Sequence, residues 1–408
     1  MNSDINEYLN ANYNKLYKLD NIFVNNLFLE LRNYLKTIKY KNYILKKKNI
    51  LDGIYYYFEK VLEIDSRVLE ISKRKQPVQR SKEWYDMRYN IISASDAGTV
   101  IGTKFEHISE SEKLKIKPHA AFKTKKDLIR TKVLREDNFK GNKYTKHGQI
   151  FEEVANLIYQ KKNNNFVIEF GLVQHPSIKF LGASPDGITK NGIMIEIKSP
   201  YSRKVNGIVP SNYWVQMQLQ LEVCNLEVCH FVEIEASFYE SEYDYYNDSN
   251  FNEIHNEKGF VIKCFNNDSE EFKYIYPDIN IFDNQELLNI WKENTVNNYS
   301  KLFDNVEICY WKVNKYSCVE INRDKVWFDK NLYKFEDFYK EIQYYKDNIN
   351  LLEKNMPNQV KKNKVLIMSD SDEEDKIQVK KNKTETVNDE IKPETNHDID
   401  INLIVNDL

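Results

Sequence analysis

The most restrictive feature of this sequence is a carboxylate and an ammonium set two residues apart in an otherwise apolar run, Ile193-Met194-Ile195-Glu196-Ile197-Lys198. The run has the length and composition of a strand. Alternate side chains of a strand share a face, so Glu196 and Lys198 point one way while Ile195 and Ile197 point into the core. Ten residues before Glu196, Asp186 stands in Ser184-Pro185-Asp186-Gly187. That turn places its carboxylate at a strand end or hairpin mouth. Charged groups on an apolar strand need compensation. A divalent cation supplies it: Asp and Glu are hard oxygen donors suited to Mg²⁺, and phosphate oxygens and water complete its octahedron. A lysine near a metal-bound water can orient it, or stabilise charge developing on a phosphoryl group. Taken alone, the same residues are also an ordinary turn and a strand-edge ion pair.

Three other segments flank this pair. Trp84-Tyr85-Asp86-Met87-Arg88 is followed by Ile92-Ser93-Ala94-Ser95-Asp96. Gly148-Gln149-Ile150-Phe151-Glu152-Glu153 opens an amphipathic helix predicted over 149–161. Tyr213-Trp214-Val215-Gln216-Met217-Gln218 lies on a helix predicted over 212–226. Further strands are predicted over 166–174 and 228–235.

Together, in this order, the segments resemble the lambda exonuclease family, the YqaJ-type viral recombinase nucleases, in the form found in large DNA viruses. The resemblance rests on Arg88…Ile92-Ser93-Ala94-Ser95, Gly148…Glu152, Ser184-Pro185-Asp186-Gly187, Glu196-Ile197-Lys198 and Gln216-Met217-Gln218, and covers residues 78–235. Ser93 stands where that family usually has threonine, which keeps the hydroxyl. The resemblance implies a mixed α/β fold: a PD-(D/E)XK, restriction-endonuclease-like core with a central mixed sheet flanked by helices. It implies a Mg²⁺-dependent nuclease, with Mn²⁺ able to substitute, that degrades duplex DNA from a 5′ end for recombination or repair. Asp186, Glu196 and Glu152 would be metal ligands and Lys198 the catalytic lysine. Arg88, Ser95 and Ser184 would hold a phosphate, and Gln216 or Gln218 would orient substrate or the lysine. Glu153 is the alternative to Glu152. One residue is a 100° turn of a helix, so only one of the two can face the site, and the family pattern favours Glu152. The implied partners are double-stranded DNA ends, a single-strand annealing protein and two further copies of the chain in a trimer. The residues themselves do not separate an exonuclease from an endonuclease or RNA-cleaving relative. From another class, an inactive DNA-end-binding scaffold is the competing reading.

Composition bounds the remainder. The chain has 408 residues and a formal charge of −3, so no global charge excess points to a partner. Residues 1–75 carry leucines and isoleucines at helical spacing and read as an accessory helical region, 76–350 as the nuclease domain, and 351–408 as a charged, disordered tail. The stretch 113–146 holds twelve Lys/Arg against three acids, which fits a DNA-tracking loop. Phe122, Phe139 and Tyr144 within it could stack on a base or belong to the core. His147 is either a further metal ligand or a structural histidine. The aromatic-rich segment 309–345 reads as a hairpin followed by a helix. Five cysteines without a C-x-x-C pair suit reduced thiols. With no apolar run of membrane length and no signal-like start, the expectation is a soluble protein with no membrane partner, intracellular, in the cytoplasm or nucleus of an infected cell if viral.

Overall fold

The computed structural model describes residues 1–357 apart from 14–17, 39, 42–43, 103–107, 109, 120, 122, 137–141, 250–256, 269–271 and 283. Of the tail read over 351–408, residues 351–355 instead belong to a helix with Leu352 buried, and those beyond 357, together with Phe122 and Phe139, lie outside the described residues.

The leucine spacing near the start produces helices α1 (Asn2–Asn12), α2 (Asn21–Ile38), α3 (Lys47–Lys60) and α4 (Ser66–Ser72). Leu27, Leu31 and Leu35 of α2 and Ile50, Ile54 and Tyr57 of α3 are buried in the same apolar cluster as Leu181, Ile188 and Trp214. The Asp65 N–H donates to the Lys190 carbonyl at 2.8 Å. The opening helices thus share one core with the segment that carries the motifs.

Next come α5 (Lys82–Asn90), β1 (Ile92–Ser93), α6 (Ala94–Ile101), α7 (Glu110–Lys113), β2 (Ile116–Lys117), α8 (Lys125–Leu134) and α9 (Lys143–Asn163). Ser81 starts α5 by accepting from the Trp84 N–H, and Asn142 starts α9 by accepting from Tyr144 and Thr145. The described part of the basic stretch, expected as a loop, includes α8 and the first turn of α9, and part of its charge is used inside the fold. Arg130 pairs with Glu353 at 2.7 Å, Arg135 with Asp86 at 2.8 Å, and buried Lys132 with Asp96 at 2.7 Å.

The central part runs β3 (Val167–Ile168), β4 (Val173–Gln174), β5 (Leu181–Ala183), β6 (Gly187–Thr189), β7 (Ile193–Lys198), β8 (Val209–Pro210), α10 (Ser211–Cys224) and β9 (Val228–Phe238). After it come α11 (Glu242–Tyr246), β10 (Glu257–Phe265), β11 (Lys273–Ile275), α12 (Gln285–Tyr299), β12 (Asn305–Asn322), α13 (Lys325–Asp347) and α14 (Ile349–Asn355). The single strand expected over 166–174 is two short ones in different sheets. The chain changes sheet around Gly171, whose N–H donates to Gln76 at 2.8 Å instead of to a strand. The expected hairpin in 309–345 is one long strand, β12, because it is paired on both sides, with β9 and with β10.

Among the described residues the main sheet is mixed, in the order β11-β10-β12-β9-β7-β6-β3, beside a sheet β1-β5-β4 and a pair β2-β8. β7 and β9 are parallel, with Glu196 opposite Phe231 and Lys198 opposite Glu233, and α10 is their crossover. Both faces of β7 are consequently covered. Ile195 and Ile197 pack against Phe151, Val154 and Ile158 of α9, while Met194 lies in the cluster with Trp214 and Met217 of α10. Glu196 is 0% exposed, as buried as its isoleucine neighbours. The sequence reading sent only the isoleucines inward; the crossover helix closes the other face as well. Among the described residues no helix is long and apolar enough to cross a membrane.

Asp96 and Lys132 hold α6 to α8. Burial alone would raise the Asp96 carboxyl, but the Lys132 ammonium and the Ser93 hydroxyl bring it below the usual carboxylate range. Lys132→Met should leave that carboxylate buried and unpaired and cost about 3 kcal/mol, read as a lower urea midpoint at pH 7. Since the folded value is depressed, the pair's contribution is complete above the unfolded carboxyl range and is lost on acidification through the folded value, so the gap between wild type and variant should narrow in acid.

Candidate active site

Asp186 reaches the site because β6 and β7 form a tight antiparallel pair, with Gly187 opposite Ile195. Glycine follows Asp186 for a steric reason: a Cβ there would lie 2.2 Å from Val167 Cγ1 on β3. Asp186 Oδ2 accepts from the Ile197 N–H at 2.7 Å, which fixes the carboxylate beside β7 between Glu196 and Lys198. Glu196 Oε1 accepts from Lys198 Nζ and, at 2.6 Å, from Gln216 Nε2; Glu196 Oε2 accepts from Gln220 Nε2 at 2.8 Å. Lys198 Nζ also lies 5.2 Å from the centre of the Tyr213 ring. The lysine side chain keeps 23% of its surface in solvent while the Glu196 side chain keeps none, so the site opens at the lysine end.

The electrostatics are those of several carboxylates sharing one cation. Burial, reinforced by the Glu196 charge, pushes the Asp186 carboxyl well above the usual range, against the pull of Lys198. Burial would lower Lys198, but Glu196 and Asp186 outweigh it and hold the ammonium well above the usual lysine range. Glu152, at the site's edge on α9, is raised by desolvation and by Glu196 and Glu169, with Lys198 opposing. Its neighbour Glu153 belongs elsewhere. It accepts from Asn156 at 3.1 Å and lines a separate cavity of about 320 Å³ with Glu169 and Tyr276. Burial raises it to about 7.

The structure brings Asp186, Glu196, Lys198, Glu152 and Gln216 into one electrostatic group. Gln218 is not part of it. Residues two apart on a helix point about 200° apart, and Gln218 faces away, donating to the Asn322 carbonyl at 2.9 Å and accepting from the Asp324 N–H at 2.7 Å. Gln220 takes the place beside Gln216 that the sequence reading gave to Gln218. The signal for it was present, since 216 and 220 are four apart and share a helix face. Tyr213 stood in the quoted glutamine segment without a role, and nothing in its sequence context marks Glu169.

The phosphate candidates lie at the ends of parallel strands. β1 pairs with β5, Ser93 opposite Gly182, so Ser95 and Ser184 follow neighbouring strand ends and are both exposed. The Ser95 hydroxyl lies 3.0 Å from that of Ser93. Arg88 sits over the Trp84 ring, 5.0 Å from its centre, in a cleft with Lys123, Lys132 and Asp96. No hydrogen bond or ion pair joins Arg88 to the carboxylates among the described residues. The two His147 ring nitrogens lie 3.2 Å from the Ser199 carbonyl and 3.3 Å from the Ala236 carbonyl, so neither is turned toward the carboxylates.

The donor chemistry fits a hard divalent cation: oxygen ligands, desolvated like charges and only one ammonium to offset them. In the arrangement described, both Glu196 oxygens are engaged by lysine and glutamine, and no group of three His, Cys, Asp or Glu side chains among the described residues is close enough to hold an ion.

The main sheet thus carries an Asp–Glu–Lys group at adjoining strands, flanked by a glutamate helix and a glutamine helix. Residues 83–227 match the YqaJ-like viral recombinase domain. A relative, an uncharacterized protein of Acanthamoeba polyphaga mimivirus, is 28% identical over 329 residues, which is 71% of this chain. The chain spans 57% of that relative's length. Among solved structures, an alkaline exonuclease from Laribacter hongkongensis is similar at 17% identity and a TM-score of 0.37, over 68% of this chain and 100% of that one. A phage-related exonuclease from Haemophilus somnus is similar at 14% identity and a TM-score of 0.33, over 65% of this chain and 98% of that one.

Gln220→Leu removes a donor from a fully buried carboxylate and should cost about 2 kcal/mol in urea unfolding. If Gln220 merely fills space, Gln220→Leu will melt like wild type.

Proposed function

We propose that this chain is a metal-dependent DNA exonuclease that hydrolyses phosphodiester bonds from duplex ends, in the 5′-to-3′ direction, to leave single strand for viral recombination or repair. The observation that carries the reading is the buried Glu196 held between Lys198 and two glutamines, with Asp186 bonded to the same strand and Glu152 within reach of their charges, inside the segment that matches a viral recombinase domain. Asp186, Glu196 and Glu152 are the residues that would hold Mg²⁺, or Mn²⁺ in its place. Such an ion, when bound, neutralises phosphate charge and makes water acidic enough to attack.

The chain's own residues supply the rest. Gln216 and Gln220 fix both oxygens of Glu196, so the carboxylate keeps one orientation through the reaction. Lys198, held as an ammonium by its carboxylates and open to solvent on one side, presents donors toward an arriving phosphate. Arg88, with Ser95 and Ser184 at neighbouring strand ends, would receive a terminal phosphate, which gives end selection. A trimer and a single-strand annealing partner are further parts of the proposal that rest on family resemblance.

The test is a Mg²⁺ time course on linear 5′-phosphorylated duplex and on covalently closed circular DNA, wild type beside Glu196→Ala. Release of mononucleotides from the linear substrate alone, abolished in the variant, is expected. Cutting of the circle would replace the exonuclease reading with an endonuclease, and cutting of neither would remove the DNA nuclease reading. Lys198→Ala should lower the rate by on the order of 100-fold or more while leaving DNA affinity nearly unchanged. Arg88→Ala should slow 5′-phosphorylated duplex far more than 5′-hydroxyl duplex; equal slowing would remove the terminal-phosphate role.

A further inference from the structure

Beyond Lys198 the chain turns out through Ser199 and Pro200 and meets the first turn of α9. The rings of Tyr144 and Tyr201 contact edge to face there, with centroids 5.1 Å apart and planes at 89°. Lys143 Nζ lies 5.1 Å from the centre of each ring. His147 packs 5.3 Å from Tyr201, and its own nitrogens are directed at the Ser199 and Ala236 carbonyls, so the tyrosine rests on an anchored support. One turn along α9, Lys146 Nζ lies 5.0 Å from the Phe272 ring centre. Tyr201 is 49% exposed, and Lys143 and Lys146 are exposed.

Charge separates this group from similar ones in the chain. Lys292 lies near the Tyr246 ring but pairs with Glu242, Lys312 lies near Tyr239 but pairs with Asp248, and Lys263 lies near Phe265 but pairs with Glu307. Lys143 and Lys146 have no carboxylate partner among the described residues. The Tyr144–Tyr201 ridge thus combines accessible aromatic rings with uncompensated positive charge, three residues in sequence from Lys198. A planar base and its phosphate match those two properties at once. Bases within a duplex are already stacked on each other, so the match is to unpaired nucleotides.

We propose that Tyr144 and Tyr201, with Lys143 between them, form a stacking platform for the unpaired strand at the carboxylate–lysine site. The platform rests on the nuclease reading above and adds to it a binding surface for separated strand. The lysine attracts the backbone, and the exposed face of Tyr201 receives a base. The strand is thereby kept from re-pairing next to the reacting phosphate.

The experiment uses the full chain carrying Lys198→Ala, which binds without cutting, and two probes: a blunt DNA duplex, and the same duplex with a short unpaired flap containing 2-aminopurine. The flap duplex should bind roughly tenfold more tightly than the blunt one, the effect of about one stacked base. Its fluorescence should be quenched on binding. Adding Tyr201→Ala should abolish both the preference and the quenching while blunt-duplex affinity stays the same, and Tyr201→Phe should retain both. Lys143→Gln should lower the salt dependence of flap binding by about 0.7 in the log–log slope. A Tyr201→Ala variant that keeps the flap preference, or that weakens both probes equally, overturns the platform and leaves the nuclease reading standing. Failure of the parent Lys198→Ala protein to bind either probe overturns both.

Discussion

A carboxylate with no solvent exposure, Glu196, sets the conditions that the surrounding structure meets. An ion in that position is tolerated only if its charge is offset and its oxygens are supplied with donors. Lys198, two residues along the same strand, offsets the charge, and the remaining donors come from across a helix–sheet interface, from Gln216 and Gln220. For those amides to arrive, α10 must cross over β7 and β9 as the link of a parallel pair. The mixed character of the sheet, the burial of both faces of β7 and the position of the glutamine helix α10 are therefore linked requirements.

The same linkage explains why the charged pair survives in an apolar strand. An ordinary strand-edge ion pair would leave its carboxylate in water. Here the carboxylate is the deeper member and the lysine the shallower one, and a further carboxylate, Asp186, is brought in just before β6, where that strand pairs with β7. The arrangement concentrates negative charge behind a single ammonium.

Strand β7 was legible to the residue because an apolar run bounded by Gly192 and Pro200 admits few alternatives. The helices at 143–163 and 211–224 were legible in kind, with ends displaced by a few residues at their caps. What sequence pattern could not supply was helical phase. Three glutamines at alternate positions look equivalent in a string, yet Gln216 and Gln220 meet Glu196 while Gln218 turns to the far side. Charge posed a similar difficulty. Lys132, Arg130 and Arg135 read as part of a DNA-facing stretch, but their partners Asp96, Glu353 and Asp86 are distant in sequence and become visible only in the fold. The span 309–345 read as a hairpin followed by a helix; the helix is α13, but the hairpin is the single strand β12, whose length makes sense only once β9 and β10 are seen on either side.

Gln218, although outside the active site, clamps α10 to the turn between β12 and α13 through Asn322 and Asp324. Strand β12, the last of the main sheet to be made, inserts between two strands synthesised earlier. During translation the motif-bearing segment emerges first, but the seat of its glutamine helix is not built until residue 324 has left the ribosome. The motif-bearing segment is therefore synthesised well before the strand and turn that seat its glutamine helix.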